Sequence, residues 1–244
     1  HRKGVRGHGV RFSPQGAIVI PMQDVAGNIH GLQIIRGRNP GRSGKRLDKE
    51  FWPAGLVKKG RFHQIGMATG AAVLLVAEGY ATAATLYEAT GLPVAVAFDA
   101  GNLGPVAAAL HKRHKTARIL ICADDDSFSA GNPGITCASA AAMEVGGAYV
   151  APTFADTAAR QAAFDTKGTK LTDFNDLHAA EGLHVVRAQI EARLLALGWR
   201  LQGHARASAP TGEGGCATGP VAMAPIESLD ELLERYVLIY GQGG

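Results

Sequence analysis

Cysteine is scarce in this chain, and the three present exclude two classes of small fold. Cys122, Cys137 and Cys216 stand far apart with no C-x-x-C spacing among them. A zinc ribbon needs paired ligands and a disulfide framework needs close partners, so neither is supported. Cys122 lies inside an apolar run and reads as core packing, in the reducing cytoplasm that such cysteine usage implies. Aromatic residues are few as well, at 6% against 46% hydrophobic residues overall. Alanine makes up much of the difference, so the helices must pack on small side chains. No apolar run approaches the roughly 18–20 residues that cross a bilayer, and no membrane partner is expected. No secretory leader is expected. The opening His1-Arg2-Lys3, without Met, predicts a piece of a longer polypeptide.

Acid is nearly missing from one end. Residues 1–66 hold 13 Lys and Arg against only Asp24, Asp48 and Glu50, a local charge of +10. The remaining residues hold 12 basic against 18 acidic, or −6, which the overall +4 conceals. A basic module beside an acidic one suits a protein that grips a polyanion with one part and holds metal with the other. The competing reading is a solvated, solubilising face.

Patterning divides the chain in the same place. Residues 17–22 and 29–36 predict a hairpin whose turn spans Asp24 to Asn28 and contains Gly27. A Gly/Arg/Lys-rich loop at 37–49, a Phe51-Trp52-Pro53 element and Lys58-Lys59-Gly60-Arg61 complete a small, basic, mostly β subdomain over 1–67. From 68 to 200 strands and helices alternate. Strands are expected at 72–77, 94–98, 117–123 and 148–151, with helices over 80–90, 103–114 and 134–145 between them. Four strands so connected make a parallel sheet with right-handed crossovers. The stretch 152–172 reads as irregular. Thr172–Leu177 has helix-start character, and an amphipathic helix is expected over 184–197. Residues 201–224, rich in Gly, Ala, Pro, Ser and Thr, predict a flexible linker, and 225–244 a helix that begins a following domain.

The chemistry lies at two strand ends. Glu78 closes the run Ala-Val-Leu-Leu-Val-Ala, and Asp124-Asp125-Asp126 closes Ala-Arg-Ile-Leu-Ile-Cys-Ala. Open α/β sheets bind ligands where parallel strands end. Carboxylates gathered there repel one another unless a divalent cation neutralises them. Asp124 and Asp126, at alternate positions, can reach one hard cation, while Asp125 points away. The competing role for each acid is to meet the positive end of the next helix. The Phe98–Leu103 loop borders the same cleft, and its Asn102 is a candidate for nucleotide contact, against a plain βα turn.

Glu78-Gly79-Tyr80-Ala81-Thr82-Ala83 and Asp124-Asp125-Asp126, in this order and spacing, resemble the Toprim domain over about residues 70–197. That fold is shared by bacterial-type primases, topoisomerases of types IA and II, OLD-family nucleases and RecR proteins. The resemblance implies an α/β fold with a four-stranded, mostly parallel sheet flanked by helices. It also implies Mg²⁺ or Mn²⁺ at Glu78, Asp124 and Asp126, with Glu78 either a ligand or the group that activates the primer hydroxyl. The segment Thr172-Asp173-Phe174-Asn175-Asp176 looks like the later acidic segment of primase-type members, where Asp173 with Asn175 or Asp176 adds ligands. Asp173 as a helix N-cap is the alternative.

The basic segment narrows the choice. Residues 18–33, the Lys/Arg loop and Arg61–Gly66 resemble the amino-terminal subdomain of primase catalytic cores, above all those of plasmids, phages and integrative elements, often fused to a helicase. The resemblance implies a single-stranded DNA template, ribonucleoside triphosphates and primer synthesis. It places template contact at Arg36, Arg38, Lys45 and Arg46, with Lys58, Lys59 and Arg61 nearby. Phe51 and Trp52 stack on a base or serve as core. The chain departs from many primases in having no ligand set for a zinc module. The rivals are a Toprim-type nuclease and a non-catalytic single-strand-binding module.

Overall fold

The computed structural model describes residues 3–14, 16–36 and 48–199. Arg38, Lys45, Arg46, the 201–224 linker and the 225–244 helix lie outside the described residues.

The first sheet is antiparallel, in the order β1 (Arg11–Phe12), β2 (Ile18–Gln23), β3 (Ile29–Arg36) and β4 (Asp48–Trp52). The hairpin of β2 and β3 follows the sequence reading, with Ile20 opposite Gln33 and Pro21 opposite Leu32. Asp24 closes its turn by accepting from the N–H groups of Ala26 (2.9 Å) and Asn28 (3.1 Å). Ile20 and Met22 are fully buried, and they join the core of the second sheet. The basic subdomain is therefore fixed to the rest of the molecule by apolar contact.

The second sheet needs a correction in number. Five strands are present: β5 (His63–Ile65), β6 (Val73–Ala77), β7 (Val94–Val96), β8 (Arg118–Cys122) and β9 (Ala148–Val150). Their order is β5-β7-β6-β8-β9, with β5 antiparallel to β7 and the other pairs parallel. β5 was expected in the basic subdomain. His63 and Ile65 are buried on either side of half-buried Gln64, which is strand period over only three residues. Every residue of β6 is buried, as a strand covered on both faces requires.

Three helices cross between these strands: α1 (Tyr80–Thr90), α2 (Leu103–Arg113) and α3 (Pro133–Glu144). A fourth, α4 (Thr157–Lys167), occupies the stretch expected to be irregular, and α5 (Phe174–Glu181) and α6 (Leu183–Ala196) follow. Val73, Leu75 and Ala77 share one core with α1, α5 and α6. Leu74 and Val76 share the other with α2 and α3. β7 and β8 flank β6 on opposite sides, so the connections leaving β6 and β7 diverge and open a crevice at the strand ends. No helix among the described residues is long and apolar enough to cross a membrane.

Candidate metal and nucleotide site

Ala77 of β6 lies opposite Cys122 of β8 in parallel register. Adjacent strands run about 4.8 Å apart. Glu78 and Asp124 therefore leave neighbouring strands at the same edge of the sheet.

Their electrostatics show how closely the acids are gathered. The Asp124 carboxyl is pushed up to about 8, first by burial, then by the charges of Asp173, Glu78, Asp126 and Asp176. Its Oδ1 is buried with no hydrogen-bond partner. Glu78 is also raised, by burial and then by Asp126, Asp99 and Asp173, with Lys49 opposing them. Asp173 is raised by burial and then by Asp176. Six carboxylates, Asp99 included, thus act on one another from four segments distant in sequence.

Local structure holds each of them. Asp126 accepts from the Gly134 N–H at 3.2 Å. A Cβ at Gly134 would come within 2.2 Å of the Asp124 carbonyl oxygen, so only glycine lets α3 start this close to the acids. Asp173 caps α5 by accepting from the Asp176 N–H (2.7 Å), and its other oxygen accepts from Thr82 Oγ1 (3.0 Å). Asp176 accepts from the Thr172 N–H at 3.0 Å, and Lys3 Nζ lies 3.5 Å away. Asn175 faces inward, its amide donating to the Lys3 carbonyl (2.8 Å) and to Thr85 (3.0 Å). Of the alternatives in this segment, only Asp173 and Asp176 face the other acids. Asp125 points away as expected, accepting from Asn132 (2.7 Å) and Arg160 (2.7 Å).

Phe98 is the one bulky residue with positive φ among the described residues, at 73°. Such a conformation is costly for a residue with a Cβ and persists where the surroundings impose it. Here its N–H donates to the Glu78 carbonyl (2.8 Å) while its ring meets Phe51 edge-on at 6.0 Å. Phe51 is thus packed between the two sheets.

The donor set suits a hard cation. A buried carboxylate oxygen without a partner, among acids whose ionisation is suppressed by one another, is stabilised by divalent charge. Among the described residues no three acidic, histidine or cysteine side chains are placed together so that they could hold a metal ion by themselves. Mg²⁺ is commonly held by one or two carboxylates, with water and phosphate completing its sphere.

A cleft of about 350 Å³ opens beside these acids, between the two sheets. Glu78, Thr82, Phe98 and Asp173 line it together with Lys3, Arg6, Arg36 and Lys49. Arg36, expected at the template, also pairs with Glu50. Lys58 pairs with Asp99 and sits over the Phe51 ring (4.7 Å), and Lys59 is exposed beside it along a second, shallower hollow. Arg61 is half-buried, its carbonyl accepting from Asn102 at 2.9 Å. Lys3, Arg6 and Lys49 were not singled out from sequence, although the +10 charge of their segment was the signal for them.

Asn102 requires a correction. It is buried, its amide donates to the carbonyls of Arg61 (2.9 Å) and Ala97 (2.8 Å), and its oxygen accepts from the Gly60 N–H (2.8 Å). The side chain is spent on joining the loop before β5 to the end of β7 and is not available to a nucleotide.

Residues 73–184 match the family model described as the Toprim domain. This segment is a Toprim domain. The chain is homologous to two Escherichia coli proteins named DNA primase TraC. It is 38% identical to one over 162 residues, which is 63% of this chain and 14% of that protein. It is 38% identical to the other over 143 residues, 56% of this chain and 9% of that one. The chain thus spans a small part of the curated relatives it matches. A solved structure of the DnaG primase catalytic domain bound to ssDNA is 17% identical, with a TM-score of 0.46, covering 75% of this chain and 57% of that chain. The Toprim domain carries its acids on the ends of β6 and β8 and at the start of α5.

Proposed function

We propose that this chain is the catalytic core of a DNA primase, making short RNA primers on single-stranded DNA from ribonucleoside triphosphates. The observation that carries this reading is the cleft itself, lined by Glu78 and Asp173 of the acid set together with Lys3, Arg6, Arg36 and Lys49. A strand and a triphosphate are both polyanions. These basic residues hold the strand's backbone without regard to sequence.

Glu78, Asp124 and Asp126 hold Mg²⁺ or Mn²⁺ in this reading, with Asp173 and Asp176 adding negative charge from α5. The bound metal supplies charge neutralisation on phosphate oxygens during nucleotidyl transfer. Glu78 is in the alternative the group that accepts the proton of the attacking primer hydroxyl. Template contact by Arg38, Lys45 and Arg46 belongs to the same proposal, as does a fused or associated helicase. The divisions at 200 and 224 are likewise proposed.

The test is primer synthesis from labelled ribonucleotides on single-stranded DNA. The expected result is metal-dependent product from the wild type and a loss of at least about a hundredfold for Asp124→Ala. Equal product from the two removes the assignment.

A further inference from the structure

Arg160 stands 35 residues from Asp125 in sequence, in a helix with no fully buried residue, yet it makes three directed hydrogen bonds. Its Nη1 donates to Asp125 Oδ2 at 2.7 Å, Nη2 to the Asp125 carbonyl at 3.0 Å, and Nε to the Leu171 carbonyl at 2.8 Å. The Asp125 N–H in turn donates to the Thr172 carbonyl at 2.7 Å. The guanidinium is held over Phe128 (5.0 Å) and Phe154 (4.8 Å). Its head is therefore fixed by aromatic faces as well as by hydrogen bonds.

What the fork joins is significant. One carbonyl belongs to the middle residue of Asp124-Asp125-Asp126, and the other lies two residues before Asp173. These are the two halves of the acid set, and they come from separate elements. Arg160 links them, beside the Asp125–Thr172 bond and a bond from Lys170 Nζ to Ser129 Oγ at 3.1 Å. Asp173 and Asp126 repel their neighbours, so the segments tend to separate unless something ties their backbones.

We propose that Arg160 is a positioning residue for the metal site. Its planar fork bridges the Asp125 and Leu171 carbonyls and so sets the separation of Asp124 and Asp126 from Asp173 and Asp176. This rests on the metal-site reading above. A lysine keeps the charge and one bond to Asp125 but cannot span both carbonyls. Outer residues that orient metal ligands typically account for about 10–100-fold in metal affinity.

The experiment measures Mn²⁺ affinity by calorimetry for the wild type, Arg160→Lys and Arg187→Lys, with a thermal midpoint for each. Arg160→Lys should weaken binding about 10–100-fold while remaining folded. Arg187, an exposed arginine of α6 that pairs with Glu191, is the control, and Arg187→Lys should bind as the wild type does. Wild-type affinity in folded Arg160→Lys overturns the inference, and so does an equal loss in Arg187→Lys. Should Arg160→Lys not fold, proton exchange in the wild type decides. Saturating Mg²⁺ should slow exchange of the Arg160 Nε–H and the Asp125 N–H together, and unchanged exchange overturns the inference. Failure of the wild type to bind Mn²⁺ overturns the metal site and this role with it, whereas wild-type binding matched by Arg160→Lys overturns this role only.

Discussion

Thr82 donates its hydroxyl to Asp173 at 3.0 Å, across 91 residues of sequence. Thr82 is in the first turn of α1, four residues after Glu78, and Asp173 caps α5. One bond therefore ties the helix following the first acid to the helix carrying the last two. Thr82 is buried, so its replacement by valine preserves shape and removes only the donor. Thr82→Val should destabilise the fold by about 1–2 kcal/mol, since a buried carboxylate loses a donor. Chemical denaturation checks this. The carboxyl of Asp173 should rise further, visible as a higher titration midpoint by NMR.

Gly134 gives a sharper steric test. Its missing Cβ is what allows α3 to approach the Asp124 carbonyl oxygen, and its N–H holds Asp126. Gly134→Ala should cost about 1–3 kcal/mol, because the backbone, not a flexible side chain, must move. It should also weaken Mn²⁺ binding by displacing Asp126. The control is Gly131→Ala, three residues earlier, where a Cβ meets no atom within 4 Å but φ is +73°. It should lose stability with little change in metal affinity.

His63 makes the stability depend on pH in a defined window. Burial is the main cause holding its imidazole down to about 4, outweighing the hydrogen bonds to backbone that oppose it. The neutral ring is thus favoured in the folded chain and the charged ring in the unfolded one. Its contribution is present above the ordinary value of 6.5 and is lost as pH falls from there through about 4. The loss is up to about 3 kcal/mol. Thermal midpoints measured across that window should fall more steeply for the wild type than for His63→Gln. Parallel curves would contradict the assignment.

Much of the fold was legible because its strands are apolar on both faces. Val73–Ala77, and β8 after its exposed Arg118, are continuous hydrophobic runs followed by acids, the pattern of a doubly covered parallel strand. β5 was missed because His63-Gln64-Ile65 is too short to display a period. α4 was missed for a different reason. With no fully buried residue it has no apolar stripe to read, and it docks through Arg160 and the stacking of Phe164 on Phe128 at 4.5 Å. Asn102 was misread because a turn asparagine beside a cleft looks the same in sequence whether its amide faces a ligand or, as here, three backbone groups. Lys58 shows the same limit, since no spacing rule reveals its partner Asp99, 41 residues away.

The basic residues of the cleft predict a salt signature. Lys49 is exposed, lies opposite Ile35 in the β3–β4 register, lines the cleft, and opposes the suppression of Glu78's acidity. Lys49→Ala should weaken binding of single-stranded DNA regardless of sequence. It should also reduce the slope of log affinity against log salt by about 0.7, the value for one single-strand phosphate contact. Fluorescence anisotropy at several salt concentrations checks both. An unchanged slope would place Lys49 off the strand's path.

The most direct measurement is anomalous scattering from crystals soaked in Mn²⁺. A peak within coordination distance of Asp124 Oδ1, shared with Asp126 or Glu78 and abolished in Asp124→Ala, is the predicted result. An intact fold whose Mn²⁺ lies elsewhere, or binds nowhere, would contradict it.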